Sequence, residues 1–179
     1  MFETNQYLIE RKVLSNKNKK IKLIKNSSKE ILGSYEPANI MGIVIKDTKG
    51  NVQAEVRNTS KFMHLEIGVF GPQHTIRGTI KQMKEEFGVK SMFGDATWKP
   101  SKYVVLNPQG VSIATLVTTK HERRQPFLNF NAPDGELLAN VSPSSMGDFV
   151  KIEVKRNDFD PLFAMAFVMW FDLYGSFAS

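Results

Sequence analysis

Apolar and polar residues alternate along most of this chain, in short runs that end at turn-forming residues. Segments such as YLIERKV, KIKLIK and VQAEVRN place apolar side chains at every second position, which is the period of a β-strand with one buried face. Between these runs lie SNKNKK, KNSSKE, DTKGN and FGPQ, which are rich in residues that favour turns. Counting in this way gives about twelve strands, so the pattern predicts an all-β protein.

One pattern recurs three times, in IVIKDTKGNVQAEV, YVVLNPQGVSIATL and FLNFNAPDGELLANV. Each copy has a strand, a turn with Asn or Asp, a Gly and a second strand, and Gly supplies the positive φ angle that a tight hairpin needs. An Ala follows four positions after each Gly and leaves room on the inner face for a bulky element, such as a helix. The pairs are Gly50 and Ala54, Gly110 and Ala114, and Gly135 and Ala139.

The C-terminal sequence DPLFAMAFVMWFDLYG breaks the alternation and predicts one helix, over about residues 160–174. Asp160 is a suitable N-cap, Pro161 suits the first helical position, and Gly175 can end the helix. The run from Pro161 to Phe171 carries no charge, and a helix that is hydrophobic all round is buried in a protein core or a bilayer.

Length favours the protein core. Eleven residues span roughly 16 Å against the ~30 Å of a bilayer's hydrocarbon core, and a longer helix takes Asp172 into the membrane. We therefore expect the helix to be buried inside the β-structure, and a barrel of twelve strands is wide enough to hold one. The predicted helix residues of the core are Leu162, Phe163, Met165, Phe167 and Trp170.

The remaining organisation is simple. TIKQMKEEFG, around residues 79–88, is compatible with a short helix or with a charged edge strand. No linker rich in Pro, Gly or Ser divides the chain. The chain length of 179 residues, without such a linker, therefore predicts a single domain over residues 1–179.

The net charge of +6 is distributed unevenly. Residues 1–30 hold eight Lys/Arg against three Glu, whereas the rest of the chain holds sixteen basic and fifteen acidic residues. Such a patch attracts the phosphates of nucleic acid or anionic lipid, although lysines on a solvated hairpin can also serve solubility alone. The sequence KHERR forms a second basic cluster. The candidate phosphate-binding residues are Lys17, Lys19, Lys20, Lys22, Arg123 and Arg124.

Several kinds of chemistry have no support in the sequence. The chain has no Cys, which suits a reducing cytoplasm, and its three His residues are not spaced as metal ligands. No nucleotide-binding or nucleophile motif is present, and MFETNQYLIERKV lacks the apolar run of a signal peptide. We predict no catalytic residue, metal or cofactor, no small-molecule substrate, and a protein that is not an enzyme.

Three segments resemble the tubby C-terminal-like superfamily, which includes the tubby domain, the phospholipid scramblases and the plant LURP-one-related proteins. They are the opening strand YLIERKVLSNKNKKIKLI, the segment YVVLNPQGVSIATLV and the terminal LFAMAFVMWFDLYG, and they are similar to the scramblase and LURP-one branch. The resemblance covers about residues 6–175. It implies a closed antiparallel barrel of about twelve strands around one hydrophobic C-terminal helix, and roles linked to membranes.

The function implied by the resemblance is limited by what this chain lacks. It has neither the Pro-rich N-terminus nor the lipid-modified cysteines of the scramblases, and Asp158 and Asp160 supply too few oxygens for a calcium loop. We therefore expect a non-enzymatic module that binds phospholipid or phosphoinositide, located in the cytoplasm and peripherally at an anionic membrane surface. The alternatives are a nucleic-acid- or protein-binding adaptor that uses the same patch, and phospholipid scramblase activity.

Overall fold

The computed structural model describes residues 2–11, 21–38, 41–60, 65–83, 102–117, 128–144 and 148–174. Within these residues, twelve antiparallel strands pair in chain order, and β12 pairs with β1 to close a barrel. The elements are β1 (Gln6–Glu10), β2 (Lys22–Asn26), β3 (Ile31–Ala38), β4 (Gly42–Asp47), β5 (Val52–Asn58), β6 (Glu66–Phe70), β7 (Ile76–Gln82), β8 (Lys102–Leu106), β9 (Ser112–Val117), β10 (Leu128–Asn131), β11 (Leu137–Pro143), β12 (Phe149–Val154) and α1 (Pro161–Leu173).

The connections between strands lie at the two ends of the barrel. Helix α1 begins at one end, here called the turn end, and finishes at the other, here called the loop end. The turn end comprises residues 2–5, 27–30, 48–51, 71–75, 107–111, 132–136 and 155–160. At the loop end the strands are joined by the segments 11–21, 39–41, 59–65, 83–101, 118–127 and 144–148.

The predicted glycine hairpins are present at the turn end. Gly50, Gly110 and Gly135 have φ angles of 86°, 79° and 90°, which a residue without Cβ adopts at little cost. The side-chain oxygen of Asp47 accepts the main-chain N–H groups two and four residues later, each at 2.9 Å, and Asn107 makes the same contacts. The turns are therefore fixed by local chemistry, as the sequence predicts.

Helix α1 lies in the interior of the barrel, which confirms the predicted fold class. The Phe167 ring packs edge to face on Tyr103 of β8, with centroids 5.0 Å apart, and on Phe130 of β10, at 6.3 Å. On the other side of the barrel, Asp172 meets Lys22 of β2. The predicted core residues of the helix are each at most 2% exposed: Leu162, Phe163, Met165, Phe167 and Trp170.

Small residues on the wall make room for the helix. Ala54, Ala114 and Ala139, which follow the hairpin glycines, are all fully buried. On β7, the position of Gly78 faces the Phe163 ring so closely that a Cβ there would lie 2.8 Å from it. The interior is therefore shaped around the side chains of α1.

The ends of the helix follow local signals. Asp160 is the N-cap, and its side chain accepts the N–H of Leu162 at 2.9 Å, while Pro161 occupies the first turn as predicted. At the other end, the Tyr174 hydroxyl donates to the main-chain oxygen of Gly42 at 2.6 Å and ties the end of the helix to β4. The predicted end of the helix at Gly175 lies outside the described residues. In the segment 79–88, which was compatible with a helix or a strand, the first residues belong to β7, and residues 84–88 lie outside the described residues.

Ionisation of the buried Tyr7 side chain makes the folding stability depend on pH in the alkaline range. Its side chain is fully buried, and within the described structure its hydroxyl has no hydrogen-bond partner. Burial raises the pKa of Tyr7 to about 12 from its ordinary value of 10.0. Because the folded pKa exceeds the unfolded pKa, this contribution to the free energy of unfolding is complete below pH 10.0 and is lost as the pH rises towards 12.

We expect Tyr7→Phe to lose about 2 kcal/mol less stability than the wild type as the pH rises through this range. Urea unfolding of both proteins at neutral and alkaline pH measures the difference, and titration of the other residues cancels in the comparison. At neutral pH the two proteins should differ by about 1 kcal/mol or less, because no hydrogen bond is removed. Parallel losses of stability in the two proteins would contradict the assignment.

Candidate functional site

Lys22 is not part of a surface patch. It is 3% exposed, and its ammonium group forms an ion pair with Asp172 in the last turn of α1. The prediction that Lys22 binds phosphate at the surface is therefore wrong. Side chains alternate between the two faces of a strand, and Lys22 shares its inward face with Ile24, which is fully buried.

Tyr35 completes this buried cluster from β3. Its hydroxyl lies 3.0 Å from Asp172 Oδ2 and also within hydrogen-bonding distance of the main-chain carbonyl of Glu10. Burial, followed by the charge of Asp172, raises the pKa of Tyr35 well above its ordinary value, so the phenol stays protonated and available as a donor. The Lys22 charge also lies near the C-terminus of α1, where a cation is favoured. The cluster holds the end of the helix to β2 and β3.

The other candidate residues lie outside the described part of the chain. They belong to the segments 11–21 and 118–127. The structure places the strand ends that flank these segments, which are the end of β1, the start of β2, the end of β9 and the start of β10. All four strand ends are at the loop end of the barrel. The residues concerned are Lys17, Lys19, Lys20, Arg123 and Arg124.

The connections at the two ends of the barrel differ strongly in charge. Those that join strands at the loop end contain twelve Lys/Arg and five Asp/Glu. Those at the turn end contain four Lys/Arg and six Asp/Glu. The basic excess of the protein is thus carried by one end of the barrel, and it includes connections far beyond the first thirty residues.

Two arginines near the turn end have acidic partners. Arg156 pairs with Asp158 and, at 2.8 Å, with Glu136, and hydrogen bonding to Asp158 raises the pKa of its guanidinium above its ordinary value. Arg77 lies 3.6 Å from the N-cap residue Asp160. Their charges are balanced locally, which leaves this end of the barrel without a basic excess.

Exposed apolar side chains accompany the basic connections at the loop end. Ile21 is 51% exposed, while Met41 and Met83 are each 46% exposed. Met41 has a φ angle of 55°, a left-handed conformation that is uncommon for a residue with a long side chain. Sequence reasoning did not identify these residues as exposed, because an apolar residue beside a strand is by default expected to face inward.

A cleft between β3, β4 and β5 is poorly suited to an anion. It has a volume of about 340 Å³ and is lined by residues that include Glu55 and Arg57. Arg57 is paired with Glu55, and its guanidinium also lies 5.5 Å from the centre of the Phe70 ring. Its charge is therefore largely balanced. Across the described ranges, no group of three or more His, Asp or Glu residues is arranged to hold a metal ion.

The short C-terminal apolar run favours a protein core over a bilayer. Among the residues placed by the structure, no helix combines the length and the apolar character needed to cross a membrane. Instead, the terminal apolar helix is enclosed by the barrel strands.

Comparisons with known proteins support the fold and no more. No protein-family model and no curated protein matches this chain. Among solved structures, the chain is similar to the X-ray structure of the protein AT5G01750 from Arabidopsis thaliana, with a TM-score of 0.54 and 14% sequence identity. The match covers 91% of this chain and 86% of that one. The similarity at this identity shows that the two proteins share an overall fold.

Proposed function

We propose that the protein is a tubby C-terminal-like domain of the scramblase and LURP-one-like type, and that it binds anionic phospholipid at a membrane surface without catalysing a reaction. The observation that carries this proposal is the charge difference between the two ends of the barrel. Several connections with basic residues join strands at the loop end, and an anionic membrane is the kind of broad surface that can engage them together.

Energetics favour a peripheral surface interaction. Each Lys or Arg near an anionic bilayer contributes about 1 kcal/mol, so a few of them suffice for reversible binding. The attraction falls off within a Debye length of about 8 Å at physiological salt, which makes binding sensitive to ionic strength. Since α1 occupies the barrel interior, the proposal places the lipid head groups outside the barrel.

Flotation with liposomes tests the proposal. Vesicles of phosphatidylcholine alone, and vesicles that also contain phosphatidylserine or a phosphoinositide, are compared at low and physiological salt. We expect the protein to bind only the anionic vesicles, and more weakly as salt rises. A Lys17→Gln/Lys19→Gln/Lys20→Gln variant should bind at least about tenfold more weakly. Lys22 is left intact in this variant because it is a buried structural residue.

A matched variant removes the same charge from the opposite end. Lys29→Asn/Lys49→Gln/Lys155→Gln takes three lysines from the turn end, and Asn suits the positive φ angle of 68° at Lys29. This variant should bind as the wild type does. Equal losses in the two variants, or salt-resistant binding to neutral vesicles, would contradict the proposal. A preference for duplex DNA over anionic vesicles would favour the adaptor function instead.

A further inference from the structure

Three apolar side chains in the described part of the loop end are about half exposed. They are Ile21, Met41 and Met83. We propose that they enter the interfacial region of an anionic bilayer, so that the barrel docks end-on with the C-terminus of α1 towards the membrane. This inference rests on the proposed function and deepens it by fixing the docking surface and the orientation.

The charge pattern selects the loop end. The turn end also exposes apolar residues, including Val52, Ile76 and Val111, but its connections carry more acidic than basic residues. An anionic surface repels such an end and attracts the other. Interfacial binding is strengthened where apolar area and positive charge occur together. Of the two ends, the loop end has connections with a basic excess in their sequence and exposed apolar residues in their described part.

The three side chains come from separate places on the barrel rim. Ile21 precedes β2, Met41 precedes β4, and Met83 follows β7. The backbone at two of them is tied to a neighbouring strand. The N–H of Asn58 donates to the main-chain oxygen of Met41 at 3.3 Å, and the N–H of Met83 donates to the main-chain oxygen of Lys102 at 2.9 Å. Because these anchors belong to a closed barrel, they can enter a flat surface together only when the barrel stands on its end.

Met41 allows a test that does not confuse binding with folding. Its φ angle of 55° is unfavourable for a side chain and favourable for Gly. Met41→Gly therefore removes the apolar anchor at a position whose backbone conformation favours Gly, and an unchanged urea unfolding midpoint would show that weaker binding does not come from unfolding.

In flotation with phosphatidylserine vesicles, Met41→Gly should bind about fivefold more weakly than the wild type, as expected for losing part of the burial of one Met side chain. Its binding should keep the same salt dependence, because no charge is altered. Val111→Ser, which removes a side chain 58% exposed at the turn end, is the matched control and should bind as the wild type does. Equal binding by Met41→Gly and the wild type would overturn the inference.

The absence of Cys from the chain permits an independent test with single labels. An environment-sensitive fluorophore is attached to a Met83→Cys variant and, separately, to a Val111→Cys variant. Addition of phosphatidylserine vesicles should shift the emission to the blue at position 83 and leave it unchanged at position 111. Vesicle binding with unchanged emission at position 83, or with an equal shift at position 111, overturns the end-on orientation alone. Absence of vesicle binding at low salt overturns the proposed function itself.

Discussion

Lys22→Met is expected to lower the free energy of unfolding by about 3–5 kcal/mol, because it removes the ammonium group from a buried ion pair with Asp172. The side chains of Lys22 and Asp172 are only 3% and 2% exposed, so water cannot replace the lost partner. The Tyr35 hydroxyl, which lies 3.0 Å from the same carboxylate, is neutral and does not supply a charge in place of the lost ammonium group. Urea unfolding followed by tryptophan fluorescence measures the loss, since Trp170 lies buried in the same helix.

The double variant Lys22→Met/Asp172→Leu provides the control. It removes both charges and replaces them with apolar groups of similar size, a change that is often neutral for a buried ion pair. We expect it to recover most of the stability lost by the single variant. A single variant that loses less than about 1 kcal/mol, or a double variant no more stable than the single one, would show that the pair is not energetically coupled.

This result bears directly on tests of membrane binding. A variant that replaces Lys22 together with Lys17, Lys19 and Lys20 should lose binding by destabilising the barrel, whatever the true role of its surface lysines. Lys22 holds the end of α1 in place, whereas Lys17, Lys19 and Lys20 are the residues proposed to meet the membrane.

The architecture was predictable because its signals are local. Alternation at period two indicates strands, and glycines such as Gly50 and Gly110 mark hairpins whose φ angles the structure confirms. The apolar C-terminal run indicates a buried helix, and the alanines placed after those glycines indicate where it packs. Each signal lies within a few residues of the feature it predicts.

The role of Lys22 was not predictable by the same means. Its partner Asp172 is 150 residues away in the chain. Lysines are generally exposed, so Lys22 was predicted to be exposed even though it lies on the same strand face as the apolar Ile24. The signal that could have found the pair is Asp172 itself. A carboxylate at the end of an apolar, buried helix requires a buried cation, and alternation offers Lys22 as an inward-facing one.

The charge difference between the ends of the barrel also needed the strand order. The sequence showed basic clusters around Lys17 and Arg123, but it did not show that their segments connect strands at the same end. Exposure of Met41 was likewise hidden, because its left-handed backbone conformation depends on how β4 begins beside β5. Surface patterns that combine distant segments follow from topology and not from composition.

Gly78→Ala is the second substitution from which we expect a large loss. The φ angle at Gly78 is 155°, a region that is essentially restricted to Gly and costs other residues about 1–3 kcal/mol. A Cβ there would lie 2.3 Å from the main-chain oxygen of Leu106 and 2.8 Å from the Phe163 ring. The first contact is with the neighbouring strand and the second with α1, so the added methyl group should cost about 1–3 kcal/mol more as overpacking. We expect urea unfolding to show a total loss of about 3 kcal/mol or more.

Gly110→Ala separates the two causes of this loss. Gly110 also has a positive φ angle, 79°, but a Cβ at that position would meet no atom within 4 Å. Its substitution should therefore cost only the backbone term, about 1–2 kcal/mol. The additional loss in Gly78→Ala then measures how tightly the helix fits against the barrel wall. Similar losses in the two variants would show that α1 can move away from β7, which is incompatible with a helix closely enclosed by the barrel.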